Sequence, residues 1–115
     1  MTDEQLSKAI AEKLGWSEIV HHPVLGFVGK PPGYWKGPVL AGGVIPDAVN
    51  NAAMTLHVAE NLVRNCTHLV LQHWPDGVRL DVHRYGSQPD RIAAEHIGGA
   101  IAEAFAKVNG IWRAQ

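Results

Sequence analysis

Apolar residues at helical spacing predict a first helix over about residues 3–14. Thr2 and Gln5 have the spacing of a capping box, in which each side chain accepts the backbone N–H of the other residue. Gly15 can adopt the left-handed conformation that ends many helices, and Trp16 then supplies a hydrophobic contact at the stop. The stripe that this helix would bury consists of Leu6, Ile10 and Leu14, with Ala9 beside them.

A pattern dominated by proline and glycine extends from residue 19 to residue 46. Five of the seven prolines lie here together with six glycines, which excludes a long helix and favours brief strands. Residues 31–37 are predicted to form an exposed loop that carries Tyr34 and Trp35. The apolar pieces compatible with short strands are Ile19-Val20, Phe27-Val28, Val39-Leu40 and Val44-Ile45.

Helical spacing returns near Asp47 and predicts a second helix to about Arg64, with Asn65 as its stop. The stripe predicted to be buried consists of Val49, Ala52, Ala53, Leu56, Ala59 and Val63.

The clearest local pattern is a β-hairpin between Leu69 and Tyr85, interrupted by a turn at residues 74–77. Proline at the second turn position and glycine at the fourth favour a three-residue loop in which Trp74 pairs with Val78. This register predicts that one face carries Val70, Gln72, Trp74, Val78, Leu80 and Val82. The other face would carry Leu69, Leu71, His73, Arg79, Asp81 and His83.

A third helix is predicted from after Ser87 to about Val108, with Pro89 in its first turn. The pair Gly98-Gly99 lowers helix propensity by about 1 kcal/mol per glycine, so we expect another backbone to approach closely at this point. The predicted stripe is Ala93, Ile97, Ala100, Ile101, Ala104, Phe105 and Val108. Ile111 and Trp112 form a tail that is expected to pack back.

The order of these elements predicts a single α+β domain over residues 1–115. Three main helices and a β-hairpin in the C-terminal half would form layers of helix and mainly antiparallel sheet. A doubly wound sheet is excluded because strand–helix–strand alternation does not recur. A chain of 115 residues can bury a sizeable core without a disulfide or a structural metal.

Composition and charge narrow the classes of function. Hydrophobic residues make up 46% of the chain and charged residues 18%, which is ordinary for a globular protein. A formal net charge of −1 gives no support to a broad nucleic-acid surface. Cys66 is the single cysteine, so no internal disulfide can form. The polar N-terminus lacks the pattern of a secretion signal and no apolar run is long enough to cross a membrane, so we expect a cytoplasmic protein.

The amino-acid sequence contains none of the common catalytic or metal-binding motifs. The seven histidines include no pair at i, i+4 on one helix, and C-x-x-C and H-E-x-x-H motifs are absent. Cys66 is placed at a helix C-terminus, where the negative end of the dipole raises a thiol pKa. No nucleophile elbow, P-loop or dinucleotide fingerprint is present. The sequence therefore predicts no catalytic residue, no metal ligand and no cofactor.

Two surfaces are candidates for binding. The first is the polar hairpin face, formed by His73, Arg79, Asp81 and His83, with Arg84 and Tyr85 just beyond. Its alternative interpretation is the solvent side of a sheet packed on one face. The second is the loop that contains Lys30, Tyr34, Trp35 and Lys36, a pattern typical of an interface anchor. Its alternative is that Trp35 folds back onto the core.

Several landmarks recur in one known family. They are Glu12-Lys13-Leu14-Gly15-Trp16 at the end of the first helix, Val44-Ile45-Pro46-Asp47 before an alanine-rich helix containing Ala52-Ala53, and a final helix led by Pro89 after the hairpin, with Ile92-Ala93 through Ala102. In these features most of the chain resembles the phage ABA-sandwich domain family, small proteins of phages and prophages.

The resemblance implies an α-β-α sandwich with an antiparallel sheet between helical layers, and no catalytic residues to carry over. A sandwich covers both sheet faces, whereas the hairpin face is polar. Either a helix leaves that end open, or the polar residues line a pocket or a subunit interface.

Three functional hypotheses follow. The leading one is a phage or prophage accessory protein that binds a host or phage protein, for which an anti-defence inhibitor of the anti-CRISPR kind is a fitting role. The alternative is a sponge-type binder of an anionic nucleotide-like molecule, with Arg79, Arg84, Lys30 and Lys36 for charge and Tyr34, Trp35 or Tyr85 for stacking. A weaker alternative is a metal-dependent hydrolase. The oligomeric state stays open, and a homo-oligomer is compatible with the sequence.

Overall fold

The computed structural model describes residues 2–111, and Trp112 lies outside them. In chain order the helices and strands are α1 (Asp3–Leu14), β1 (Ser17–His22), β2 (Gly26–Lys30), α2 (Ala52–Asn65), β3 (His68–Trp74), β4 (Gly77–His83), β5 (Asp90–Ala94) and α3 (Ile97–Val108). β1 and β2 form one antiparallel sheet, and β3, β4 and β5 form another in that order. The α+β class, the three helices and the hairpin in the C-terminal half are confirmed.

Helix α1 begins and ends where the sequence predicts. The Thr2 hydroxyl accepts the Gln5 N–H at 3.1 Å, and the Gln5 side chain accepts the Thr2 N–H at 2.9 Å. Gly15 has a φ of 101° and ends the helix in the left-handed region. The predicted stripe is confirmed, because Leu6, Ile10 and Leu14 are all buried.

The glycine- and proline-rich region forms the small two-stranded sheet. Val20 pairs with Val28 and His21 with Phe27, and Val44 adds an isolated bridge to Val28. The strand considered at residues 39–40 does not form. Instead, Gly42 and Gly43 adopt φ angles of 72° and 75° in a short 3-10 turn at Ala41–Gly43, which directs the chain back toward β2.

Helix α2 starts five residues later than predicted, because hydrogen bonds to the Asp47 side chain stabilise a separate turn at residues 48–50. The Asp47 carboxylate accepts the N–H groups of Val49 at 2.8 Å and of Asn50 at 3.2 Å. Burial raises the pKa of Asp47, but hydrogen bonds from the Asn50 side chain and from these N–H groups outweigh it, and the pKa is lowered. Asn51 then caps α2 by accepting the Met54 N–H at 3.0 Å.

The prediction of which side of α2 is buried is wrong. The residues that this helix buries are Met54, His57, Val58 and Leu62. Of the predicted stripe, Val49 and Ala59 reach the margin of the core. Leu56 is 58% exposed and Val63 is 53% exposed. The prediction failed because α2 is apolar on two sides, and periodicity alone does not say which side faces inward.

The hairpin has a two-residue loop, Pro75-Asp76, instead of the predicted three-residue loop. Trp74 pairs with Gly77, and His73 pairs with Val78. Relative to the predicted pairing of Trp74 with Val78, β3 is displaced by one residue along β4. Since side chains alternate between the faces of a strand, this displacement moves every β3 side chain to the other face of the sheet.

Residues 90–94, predicted as the first turn of the third helix, instead form β5. Ile92 pairs with Leu80 and Arg91 pairs with Asp81. Helix α3 therefore starts at Ile97, where the His96 ring accepts the Gly99 N–H at 3.2 Å. Pairing with β4 and burial of Ile92 override the helix propensity of the neighbouring alanines, as tertiary context commonly does.

Helix α3 lies at the centre of the core. It packs against β4 and β5 on the sheet side and against α2 and α1 elsewhere. The sheet residues buried beneath it are Val78, Leu80, Val82 and Ile92. Ile111 packs against the same core. None of the helices described between residues 2 and 111 combines the length and the apolar character that crossing a membrane requires.

The expected close approach of a second backbone at the α3 glycine pair is confirmed for Gly98. A Cβ at Gly98 would overlap the carbonyl oxygen of Val49, in the turn that precedes α2. Gly99 is different, because a Cβ there would meet only side-chain atoms, at 3.6 Å or more. The two adjacent glycines therefore have separate reasons to be present.

Replacing each glycine of this pair by alanine separates steric contact from helix propensity. We expect Gly98→Ala to lower the free energy of unfolding by about 2 kcal/mol, because overpacking must push α3 away from Val49. The matched control Gly99→Ala should leave it unchanged or raise it by up to about 1 kcal/mol, through better helix propensity. Urea unfolding of both variants measures the difference, and equal effects would contradict the close approach.

Candidate functional site

The segment Lys30–Gly37, called the Trp35 loop below, packs back onto the molecule. The Trp35 ring stacks on the His57 ring with centroids 4.2 Å apart and meets Trp16 edge-on at 5.3 Å. Trp35 thus packs against the core, which is the second of the two interpretations that the sequence left open.

His57 binds this loop through one ring nitrogen and its own helix through the other. It is buried on α2, where Nε2 accepts the Lys36 N–H at 3.2 Å. Nδ1 lies 2.8 Å from the carbonyl oxygen of Ala53, to which it can donate because Nε2 serves as the acceptor. Sequence reasoning missed His57, which could be found only once the loop is seen to cross α2.

Tyr34 ties the same loop to the end of α1. Its hydroxyl donates to the carbonyl oxygen of Leu14. Burial raises the pKa of Tyr34, and Arg64 opposes this effect. Lys30 and Lys36 stay exposed at the two ends of the loop. The loop is thus a packed structural element with a cationic margin.

One face of the three-stranded sheet is not covered by any helix in the described part of the chain, and we call it the open face. The residues that share it are His68, Val70, Gln72, Trp74, Arg79, Asp81, His83, Arg91 and Ala93. The grouping of Arg79, Asp81 and His83 holds, but His73 belongs to the opposite face because of the displaced register. Within residues 2–111 no helix packs on this face, which agrees with the first of the two arrangements considered for the polar residues.

Pairs of side chains organise the open face along its length. The Arg79 guanidinium lies over the Trp74 ring at 5.9 Å, a cation–π contact near the turn. In the middle, Arg91 Nε lies 3.6 Å from Asp81 Oδ1.

The far end of the open face is different in character. The rings of His68 and His83 stack there at 4.1 Å with an interplanar angle of 10°. The face is therefore aromatic and cationic at the turn end and carries two imidazoles at the other.

The two residues beyond the hairpin differ from each other. Arg84 forms an ion pair with Asp90 at the start of β5 and is half-buried. Tyr85 is 94% exposed in the turn that follows. The predicted residues therefore do not form one pocket, since the Trp35 loop packs on α1 and α2 while Arg79, Asp81 and His83 lie on the sheet.

A surface that sequence reasoning missed lies between α2 and α3, and we call it the α2–α3 groove. Its volume is about 430 Å³, and its apolar lining consists of Val49, Ala52, Leu56, Ala59, Ile97 and Ile101. Asn50 and Thr55 supply polar groups at its margin. The signal for this groove in the sequence is the second apolar stripe of α2, which periodicity alone does not distinguish from the stripe that faces the core.

The described residues offer little support for metal or thiol chemistry. Within residues 2–111, no group of three or more histidine, cysteine, aspartate or glutamate side chains lies close enough together to hold a metal ion. Burial raises the pKa of the Cys66 thiol, with Asp90 adding to the effect and Arg84 opposing it. The direction expected for Cys66 is confirmed, although burial is the largest cause instead of the helix dipole.

Scans of the chain against models of known protein families, against curated proteins and against solved structures found no match.

The packing of the Trp35 loop predicts that its tryptophan contributes to stability. We expect Trp35→Ala to lower the free energy of unfolding by about 2 kcal/mol or more, because it removes the contacts with His57 and Trp16. Tyr85→Ala serves as the matched aromatic control and should stay within about 0.5 kcal/mol of wild type. Thermal and urea unfolding test this, and an unchanged stability of Trp35→Ala would contradict the packed loop.

Proposed function

We propose that this protein acts by binding another protein, and that the α2–α3 groove receives an amphipathic helix of that partner. The carrying observation is the second apolar stripe of α2. A helix that is apolar on two sides buries one side in its own core and leaves the other for a further contact. Here the outward side includes Leu56 and Val63, both more than half exposed.

The shape of the groove favours a helical occupant. Two neighbouring helices form its walls, and a third helix can pack its side chains between theirs. The small side chains of Ala52 and Ala59 leave space on the α2 side of the groove. The larger side chains of Leu56, on α2, and Ile97, on α3, line it from opposite sides. Burial of one leucine side chain stabilises a complex by about 1.5–3 kcal/mol, so a few such contacts support specific binding.

The resemblance to the phage ABA-sandwich domain family extends this proposal to a biological setting. The protein would be a phage or prophage accessory protein, its partner a host or phage protein, and its place of action the host cytoplasm. An anti-defence inhibitor of the anti-CRISPR kind acts by such stoichiometric binding and needs no catalytic residue. The open face, with Arg79 and Trp74 exposed, would supply a second contact area for a large partner.

A charge placed in the groove tests this proposal. We expect Leu56→Glu to abolish capture of the partner from a bacterial lysate, because a carboxylate cannot enter an apolar contact without a counter-charge. Leucine and glutamate have similar helix propensities, so the stability of the exposed position should change little. Val24→Glu adds the same charge at another exposed apolar residue and should leave capture unchanged.

Quantitative mass spectrometry of proteins captured by the three tagged forms is the measurement. A protein retained by wild type and by Val24→Glu but lost with Leu56→Glu is the expected result. Identical sets for all three forms would contradict a role for the groove. Loss with both variants would point to non-specific adhesion instead of a defined site.

A second candidate function has one observation in its favour. A cavity of about 320 Å³ lies beside Trp74 and Arg79 at the turn end of the open face. An aromatic ring with a guanidinium above it suits a nucleobase that stacks and a phosphate that pairs with the cation. Asp76 also lines this cavity, so the anionic group of the ligand would bind on the Arg79 side.

The sponge-type alternative predicts a thermal shift with nucleotides that depends on this pair. In a panel of mono-, di- and cyclic nucleotides, we expect at least one to raise the melting temperature of wild type but not of Trp74→Ala. Tyr85→Ala should respond like wild type, because Tyr85 does not line the cavity. A response to no nucleotide, or an equal response in Trp74→Ala, would exclude this cavity as the site.

A further inference from the structure

Strand β3 is the unprotected edge of the three-stranded sheet. Its seven residues, His68–Trp74, pair with β4 in an unbroken register, and no strand formed by residues 2–111 lies on their other side. Proteins usually protect such an edge with lysine or other charges, with proline, or with a bulge. β3 contains none of these devices and no glycine, so its outward N–H and C=O groups are open to another strand.

The opposite edge of the same sheet is protected. β5 has five residues and begins with the charged pair Asp90-Arg91, whereas β3 has seven residues and contains no aspartate, glutamate, lysine or arginine. The contrast within one sheet indicates that the open edge at β3 is a specific feature. A partner that adds to it must present an extended strand, because only a strand matches the repeat of outward backbone groups.

β3 is also exposed on both of its faces. Helix α3 packs against β4 and β5, and Leu71 on the same side as this helix is 44% exposed. On the open face Trp74 is 49% exposed, and Val70 lies beside it. An uncharged strand with apolar side chains on both faces gains from burial whichever face a partner covers.

We propose that β3 pairs antiparallel with β3 of a second copy of this chain, which joins the two three-stranded sheets into one sheet of six strands. The inference does not rest on the α2–α3 groove, because β3 does not line it. A second copy is favoured over another partner because the side chains of β3 match those of an antiparallel copy of the same strand.

Symmetry fixes the possible registers of this dimer. Residues opposite each other in a sheet lie on the same face, and faces alternate along the strand. A two-fold axis perpendicular to the sheet must therefore pair one residue with its own copy. Only an axis at the central residue, Leu71, pairs all seven residues of β3.

In this register the side of the sheet that carries α3 gains a continuous apolar row. Leu71 pairs with Leu80 within the chain, so the row across the axis is Leu80, Leu71, and then the second copy's Leu71 and Leu80. The half-exposed Leu71 thus becomes buried against itself. No charged side chain of β3 meets its own copy, so the axis carries no like-charge repulsion at neutral pH.

On the open face the same register places uncharged side chains against each other at the axis and no like charges in one row. Gln72 lies beside Arg79, and Val70 lies beside Asp81. Across the axis Gln72 faces the second copy's Val70, so each row runs from an Arg79 on one copy to an Asp81 on the other. The two charges of a row stand three strand spacings apart, about 14 Å, and Asp81 already lies beside Arg91 of its own chain, so their attraction is weak and the register depends on the Leu71 row.

The interface is small, because it rests on one seven-residue strand from each copy. We expect a dissociation constant on the order of 1–100 μM, as for interfaces at the lower end of the usual size range. Sedimentation velocity of the full chain between about 1 and 300 μM should therefore show a concentration-dependent shift from monomer to dimer.

The first test places a charge on the axis. Leu71→Lys sets two ammonium groups against each other and should raise the dissociation constant at least tenfold, while circular dichroism shows a folded protein. Ala93→Lys adds the same charge at an exposed position on the protected edge and should dimerise like wild type. A monomeric wild type over the whole range, or a dimer that only Ala93→Lys dissociates, overturns the proposal.

The second test reads the register and does not depend on the first variant. In a Cys66→Ser background, Leu71→Cys should form an intermolecular disulfide under mild oxidation, because paired Cα atoms lie about 4.5–5.5 Å apart. His73→Cys should not, because its own copy would lie about 13 Å away along the strands. Crosslinking of His73→Cys but not of Leu71→Cys, or of neither, contradicts pairing at Leu71.

Discussion

Helix α3 holds the fold together because the sheet and both other helices pack against it. Small side chains make this possible: Ala100, Ala102 and Ala104 are buried, and Gly98 lets the Val49 carbonyl approach without a Cβ between them. Short distances between backbones increase the number of van der Waals contacts per buried residue. The position of α3 therefore sets the positions of α2 and of the three-stranded sheet.

Surfaces that α3 does not cover are the ones available for function. It buries one side of α2, and the other apolar side of α2 forms the α2–α3 groove together with Ile97. It covers one face of β4 and β5, which leaves the open face and the whole length of β3 at the surface. A single central helix in a chain of 115 residues cannot bury every apolar stripe. The apolar stripes that stay exposed are the surfaces to which partners would bind.

The Trp35 loop shows the opposite case, in which an aromatic segment serves the fold. Trp35 stacks on His57, whose ring also accepts the Lys36 N–H, and Tyr34 donates to the carbonyl oxygen of Leu14. These contacts hold the segment that follows β2 against α2 and against the end of α1. Aromatic residues in a loop are therefore no evidence of an interface until their packing is known.

Local interactions allowed the sequence by itself to determine α1, its capping box and Gly15, and the presence of a hairpin in the C-terminal half. The order of the elements indicated the α+β class, and the pair Gly98-Gly99 indicated that another backbone approaches there. Each depends on residues a few positions apart or on a missing side chain. Only the tertiary structure decided which stripe of α2 is buried, that residues 90–94 form β5, and that β3 is displaced by one residue. In each case the local sequence is compatible with two arrangements of similar free energy. Contacts between residues distant in sequence select one of them. For the candidate site, Arg79, Asp81 and His83 were grouped correctly because they alternate on one strand, whereas His73 required the cross-strand register.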